Sequence, residues 1–189
     1  MIEGLSSNQY DSDRIVRAAN MFDHLPMPSN VPNPPVSDEL KNAIGQAREL
    51  FRSIPDSNEK SRALNAISNL EKARAKDRVA VRARKVMDRS SGRFSKLDFV
   101  TDHAVLCRNY FVHGNKRAFD YESHPGETFF LTQTLEFVFV ASELIDCGWN
   151  IERWIASSTS QSHPLGTYKI GYKRGVELLE MAIEKASKQ

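Results

Sequence analysis

Arg108-Asn109-Tyr110-Phe111-Val112-His113-Gly114 closes an apolar segment and brings an arginine, an amide and a histidine within six residues. Upstream, from about residue 96, Leu97, Phe99, Val100, Ala104, Val105 and Cys107 fall at helical spacing behind a capping Ser95. Gly114 supplies the stop, because glycine enters the left-handed conformation at a helix C-terminus without a Cβ clash. The stretch therefore reads as the last turn of a helix. No strand-like alternation of useful length and no internal repeat occurs elsewhere, so the chain reads as all-α.

The residue types suit phosphodiester chemistry. Arginine is a permanent cation that matches phosphate oxygens, and histidine takes or gives a proton near neutral pH. Residues five apart on a straight helix point roughly 140° apart, at about 100° per residue, so Arg108 and His113 do not share a face. Asn109 and His113, four apart, do. A groove flanking the helix end is within reach of all three. The plain alternative is that a histidine before a C-capping glycine is an ordinary way to end a helix, with the arginine in a surface pair.

The segment Leu106-Cys107-Arg108-Asn109-Tyr110-Phe111-Val112-His113-Gly114 resembles the signature of the HEPN superfamily. That signature is an arginine, commonly followed by a polar residue, with a histidine four to six residues on near a helix end. The form Arg-Asn-x-x-Val-His-Gly is similar to that of the Apea-type domains of anti-phage defence proteins, and the helical context extends the resemblance over about residues 10–150. The resemblance implies a HEPN-like helical bundle of about five to seven helices that dimerises and, in active members, cuts RNA without a metal. It assigns proton transfer to His113, charge stabilisation at the phosphoryl oxygens to Arg108, and orientation of His113 or the phosphate to Asn109. The implied function is a metal-independent endoribonuclease in abortive infection or a toxin-like role, acting on RNA as a homodimer. The alternative is a non-catalytic HEPN-like dimerisation or nucleotide- and RNA-binding module; degenerate members often lose the arginine or the histidine, and both stand here. Apea-type proteins carry a larger N-terminal region, whereas this chain starts almost directly with its first helix, so such a region is expected to be absent from it.

Composition bounds the rest. At 189 residues with 40% hydrophobic content, one domain or one domain with a tail is expected. The net charge of +2 does not make the whole chain a magnet for nucleic acid. Two cysteines, Cys107 and Cys147, each sit in an apolar segment, which suggests buried thiols in a reducing compartment. No Cys/His cluster has zinc spacing, and neither a Gly-rich phosphate loop nor a nucleophile turn is present, so no metal or cofactor is expected. The N-terminus lacks a signal-like segment. The most apolar stretch, Phe129 to Ile145, is interrupted by Thr132, Gln133, Thr134, Glu136, Ser142 and Glu143 and reads as no membrane span. The expected location is cytoplasmic.

Along the chain, residues 1–9 read as a loose N-terminus, 10–157 as the HEPN-like domain, and 158–189 as a polar linker and a C-terminal helix packing on the bundle. The first helix begins at Asp11-Ser12-Asp13 and ends at Leu25-Pro26; five of the eight prolines then form a stiff connector over 26–35. Helices are predicted over 37–53, from Ser57 or Asn58 to about Arg89 without interruption, over 96–113, from about Phe130 to Gly148, briefly over 149–157, and over 171–187.

Three further features invite a functional reading. The fifth helix carries two rows at seven-residue spacing, Phe130, Phe137, Leu144 and Leu131, Val138, Ile145. Either this helix is wholly buried, or one row meets a second copy, as the HEPN resemblance implies. Ten Lys and Arg lie between Lys72 and Lys96 against only Asp77 and Asp88, a phosphate-contacting face or simply a solvated one. Closest to the motif, Lys116 and Arg117 are the expected RNA-binding residues, with Tyr110, Phe111 and Tyr121 as candidates for base stacking. Asp98 or Asp102 could orient Arg108.

Overall fold

The computed structural model describes residues 12–24, 37–70 and 74–188. Among them stand eight α-helices and no strand: α1 (Ser12–Asn20, continued by a 3-10 turn, Met21–Asp23), α2 (Asp38–Ser53), α3 (Asn58–Asn69), α4 (Ala75–Asp88), α5 (Leu97–His113), α6 (Pro125–Asp146), α7 (Ile151–Ala156) and α8 (Pro164–Ser187). The loose terminus over 1–9, the end of the first helix at Leu25-Pro26, the proline connector and Lys72 lie outside the described residues.

Local chemistry explains most boundaries. Ser37 and Ser57 accept the Leu40 and Lys60 amides at 3.3 and 3.1 Å and start α2 and α3. The single helix expected from Ser57 to Arg89 is two helices. Leu70 tightens the end of α3 by bonding Ile67 O, and Asp77 reaches back to the Arg74 amide at 2.8 Å to open α4. The last helix begins at Pro164, seven residues earlier than expected. Proline suits a first helical position, and His163 Nδ1 accepts the Leu165 amide at 3.2 Å. Gly166 follows, and a Cβ there would stand 2.1 Å from the Ser160 carbonyl oxygen, so no larger residue lets the linker fold back this closely.

α6 is the central helix. α1, α4, α5 and α8 all pack on it. Phe130, Leu131, Leu135, Phe137, Val138 and Ala141 are buried in one core with Ile15, Phe22, Val79, Phe94 and Val100. Its polar interruptions are accommodated inside: the Thr128, Thr132 and Thr134 hydroxyls bond carbonyls four residues back at 2.8, 3.2 and 2.8 Å. The two-row interface reading is therefore corrected. Both rows are core, and only their last members, Leu144 and Ile145, reach the surface, because α8 covers the side that the sequence left without a partner. α6 is long and apolar enough to cross a membrane, with a mean hydropathy of 1.3, but 56% of that window is buried in the bundle. Its composition is that of a core helix.

α8 joins the same core through Tyr168, Tyr172, Val176, Leu179 and Ala182. By contrast α2 and α3 pack chiefly on each other and bury only Ile44 and Ile67. Cys107 is buried as expected; Cys147 is exposed, because it falls past the last turn of α6, where the chain leaves the core.

Candidate functional site

The site is built at the C-terminal end of α5. Gly114, at φ 67°, takes the left-handed conformation and donates its N–H to Tyr110 O at 2.9 Å, ending the helix one residue past His113. Below this end lies an aromatic floor. Tyr110 and Phe111 meet Tyr121 with centroids 5.4 and 5.9 Å away, and Phe119 adds an edge contact at 4.7 Å. Phe119 and Tyr121 thereby pin down the loop that follows the motif. Tyr121 is 1% exposed, so it does not offer a face to a base. Burial pushes its phenol up to about 12, which keeps it protonated.

Arg108, Asn109 and His113 are brought together. Arg108 Nη1 donates to Asn109 Oδ1 at 3.1 Å and lies 3.3 Å from His113 Nε2. The helical offset that separates Arg108 from His113 is spanned by the arginine's own length. A guanidinium only donates, so a hydrogen bond here requires Nε2 to be the acceptor. Arg108 is half-buried and His113 exposed, so the cluster opens to solvent on the histidine side.

The second terminal nitrogen of Arg108 reaches a residue that sequence reasoning missed. Nη2 donates to Asn20 Oδ1, at the end of α1, at 3.0 Å. Arg108 Nε is buried without a partner among the described residues. Nothing in the sequence links two residues 88 positions apart; the signal is the packing of α1 on α5. Neither aspartate considered as an orienting group plays that part: Asp102 pairs with Lys76 at 2.8 Å, and Asp98 accepts the Phe99 amide at 2.8 Å.

Lys116 and Arg117 are exposed beside the motif but line a different groove, of about 790 Å³, with Leu106, Phe119, Ile183 and Ala186. Arg117 donates to Asp120 at 2.9 Å. The Asp120 carboxyl is held below its usual range, first by the Ser123 hydroxyl and then by the Arg117 charge. The basic run of α4 and the following loop is largely spent inside the fold. Arg82 pairs with Glu143, Lys85 with Asp146 at 2.5 Å and Lys96 with Glu180 at 2.5 Å, while Arg93 donates to Lys169 O at 2.5 Å. The run reads as inter-helix pairing more than as a phosphate-binding face. Among the described residues, no group of three or more His, Cys, Asp or Glu is placed to hold a metal ion.

The all-α bundle, with an arginine, an amide and an imidazole clustered at the end of a core helix, agrees with the HEPN-type domain that the sequence resembles. The chain belongs to the Apea-like HEPN family, whose model matches residues 4–153. The match ends within α7, before α8, which nonetheless supplies part of the core. No curated protein and no solved structure matches the chain.

Proposed function

We propose that this chain is a metal-independent endoribonuclease of the HEPN type, acting in anti-phage defence by abortive infection or in a toxin-like role in the cytoplasm. The observation that carries the reading is the single hydrogen-bonded cluster of Arg108, Asn109 and His113, opening to solvent, in a chain of the Apea-like HEPN family. In the proposed reaction the ribose 2′-oxygen attacks the adjacent phosphorus. His113, exposed to solvent at the helix end, takes the 2′-hydroxyl proton on its imidazole once substrate phosphate draws the Arg108 guanidinium away from Nε2. The P–O5′ bond breaks, the leaving 5′-oxygen takes a proton from water, His113 gives its proton back to solvent, and a 2′,3′-cyclic phosphate remains. Arg108 stabilises the charge that grows on the non-bridging oxygens, and Asn109 holds the guanidinium in place. In this reading Lys116 and Arg117, exposed in the neighbouring groove, hold phosphates further along the RNA.

The active unit in this reading is a homodimer whose two motifs share one groove. α6 no longer supports it, since its rows are core. What supports it is the family, together with Leu106 and Val112 of α5, 43% and 41% exposed beside the motif. The test is a gel assay on total RNA comparing the wild-type chain with His113→Ala. Cleavage lost in the variant upholds the ribonuclease reading. Equal cleavage by both removes it, and absence of cleavage in either favours the binding-module alternative.

A further inference from the structure

Asn20 is the last residue of α1, at helical φ −69° and ψ −21°, where the chain runs on into the 3-10 turn Met21–Asp23. Its side chain makes no bond to the backbone of that turn. Its Oδ1 is turned the other way and accepts Arg108 Nη2 at 3.0 Å. Asn20 is only half-buried, so the need to satisfy a deeply buried amide does not account for this choice.

The consequence is geometric. One acceptor on a guanidinium leaves the plane free to turn about its long stem. Acceptors on both terminal nitrogens fix the plane and decide which nitrogen faces which neighbour. Here Asn20 holds Nη2, so that Nη1 is the nitrogen presented to Asn109 and His113. The anchor is itself held. Phe22, 1% exposed, meets Phe139 edge-on with centroids 5.6 Å apart, and Arg78 Nη1 donates to Asp23 O at 3.4 Å, tying the end of α1 to α6 and α4.

We infer that Asn20 is a positioning residue for the site: it locks the rotation of the Arg108 guanidinium and so presets the cation beside His113. The inference rests on the ribonuclease reading for its catalytic consequence, but the lock is a property of the free protein. Attraction of a phosphate to the Arg108 charge survives loss of the lock, whereas alignment with the developing oxyanion does not. The chemical step should therefore suffer more than binding.

The experiment uses Asn20→Ala, Asn20→Leu, which keeps bulk without an acceptor, and Asn20→Asp, which keeps an acceptor oxygen. NMR of the Arg108 guanidinium in the free chain reads rotation through exchange of the two Nη signals. Distinct signals in the wild type, averaging in the Ala and Leu forms, and restored separation in the Asp form are expected. In RNA cleavage, kcat should fall about 10- to 100-fold in Ala and Leu with KM within about twofold, and recover in Asp. Unchanged Nη exchange in Asn20→Leu, or wild-type kcat in it, overturns the inference, and so does an Asp form that behaves like Leu. If the wild-type chain cleaves no RNA, the ribonuclease reading falls, and the Nη exchange alone still decides for or against the lock.

Discussion

Phe137 of α6 stacks on Tyr168 of α8, with ring centroids 4.4 Å apart and planes inclined by 25°. Phe94 completes a triangle of rings, 4.8 Å from Phe137 and 6.1 Å from Tyr168, and the Tyr168 hydroxyl shares a 2.9 Å hydrogen bond with Thr134. Phe137 is 2% exposed, inside the protomer's own core. Phe137→Glu should therefore abolish folding, since an unpaired buried carboxylate costs several kcal/mol or more. Phe137→Leu should fold with a loss of about 1–3 kcal/mol. Circular dichroism with urea titration reads both. A folded, monomeric Phe137→Glu form would return this row to the surface.

Val112→Glu addresses the dimer instead. The side chain is 41% exposed at the motif, so a charge there should leave the fold intact and stability within about 0.5 kcal/mol. Light scattering should find a dimer in the wild type and a monomer in the variant, with RNA cleavage lost. A wild type that stays monomeric at high micromolar concentration yet cuts RNA excludes the shared groove.

The chemistry makes its own prediction. Cleavage should persist in EDTA and leave 2′,3′-cyclic phosphate ends, readable by their resistance to ligation. Arg108→Ala and His113→Ala should each abolish it. The exposed His113 should cost less than about 1 kcal/mol of stability; Arg108, which bonds three side chains, about 1–2 kcal/mol. Strict magnesium dependence with 5′-phosphate products would point to a different active centre.

Arg82 is a structural cation. It is 5% exposed and reaches the Glu143 carboxylate and the Ser142 hydroxyl across the α4–α6 contact, with Asp146 at 3.8 Å. Arg82→Ala should cost about 3 kcal/mol in urea unfolding, because it leaves a half-covered carboxylate and a void. Glu143→Gln should cost only about 1 kcal/mol, since Asp146 stays close and Glu143 is 40% exposed. Comparable losses for the two would mean that Arg82 acts through packing alone.

Stability should also fall in alkali. Burial raises the phenols of Tyr168 and Tyr172 above their ordinary range and that of Tyr121 to about 12. An unfolded chain releases these protons from about pH 10, while the folded chain keeps them. Unfolding then releases protons, and stability drops as pH rises above about 10. The urea midpoint should decline between about pH 9.5 and 11.5, and Tyr168→Phe should flatten the decline. A midpoint independent of pH over that range would contradict the burial of the three hydroxyls.

The sequence alone was sufficient wherever the determining chemistry is local. Ser37 before an apolar stripe predicted α2 to within a residue, and Gly114 marked the end of α5, because caps and left-handed stops act over one turn of chain. The Arg108-Asn109-His113 grouping was legible for the same reason: its members share one helix end. Local rules failed where they competed. The charged stretch between Leu70 and Ala75 kept helical composition, yet the Asp77 side chain opened a new helix there.

Tertiary structure decided what each surface meets. Periodicity identifies an apolar face but not its cover, so the two rows of α6 looked available until Tyr168 and Tyr172 of α8 closed over them. Charge counting identified a basic run but not the carboxylates of α6 and α8 that absorb it. Most of all, packing chose the partner of Arg108. Asp98 and Asp102 are its near neighbours in sequence, but helix geometry turns them elsewhere, and α1 sets the neutral oxygen of Asn20 against the guanidinium from 88 residues away.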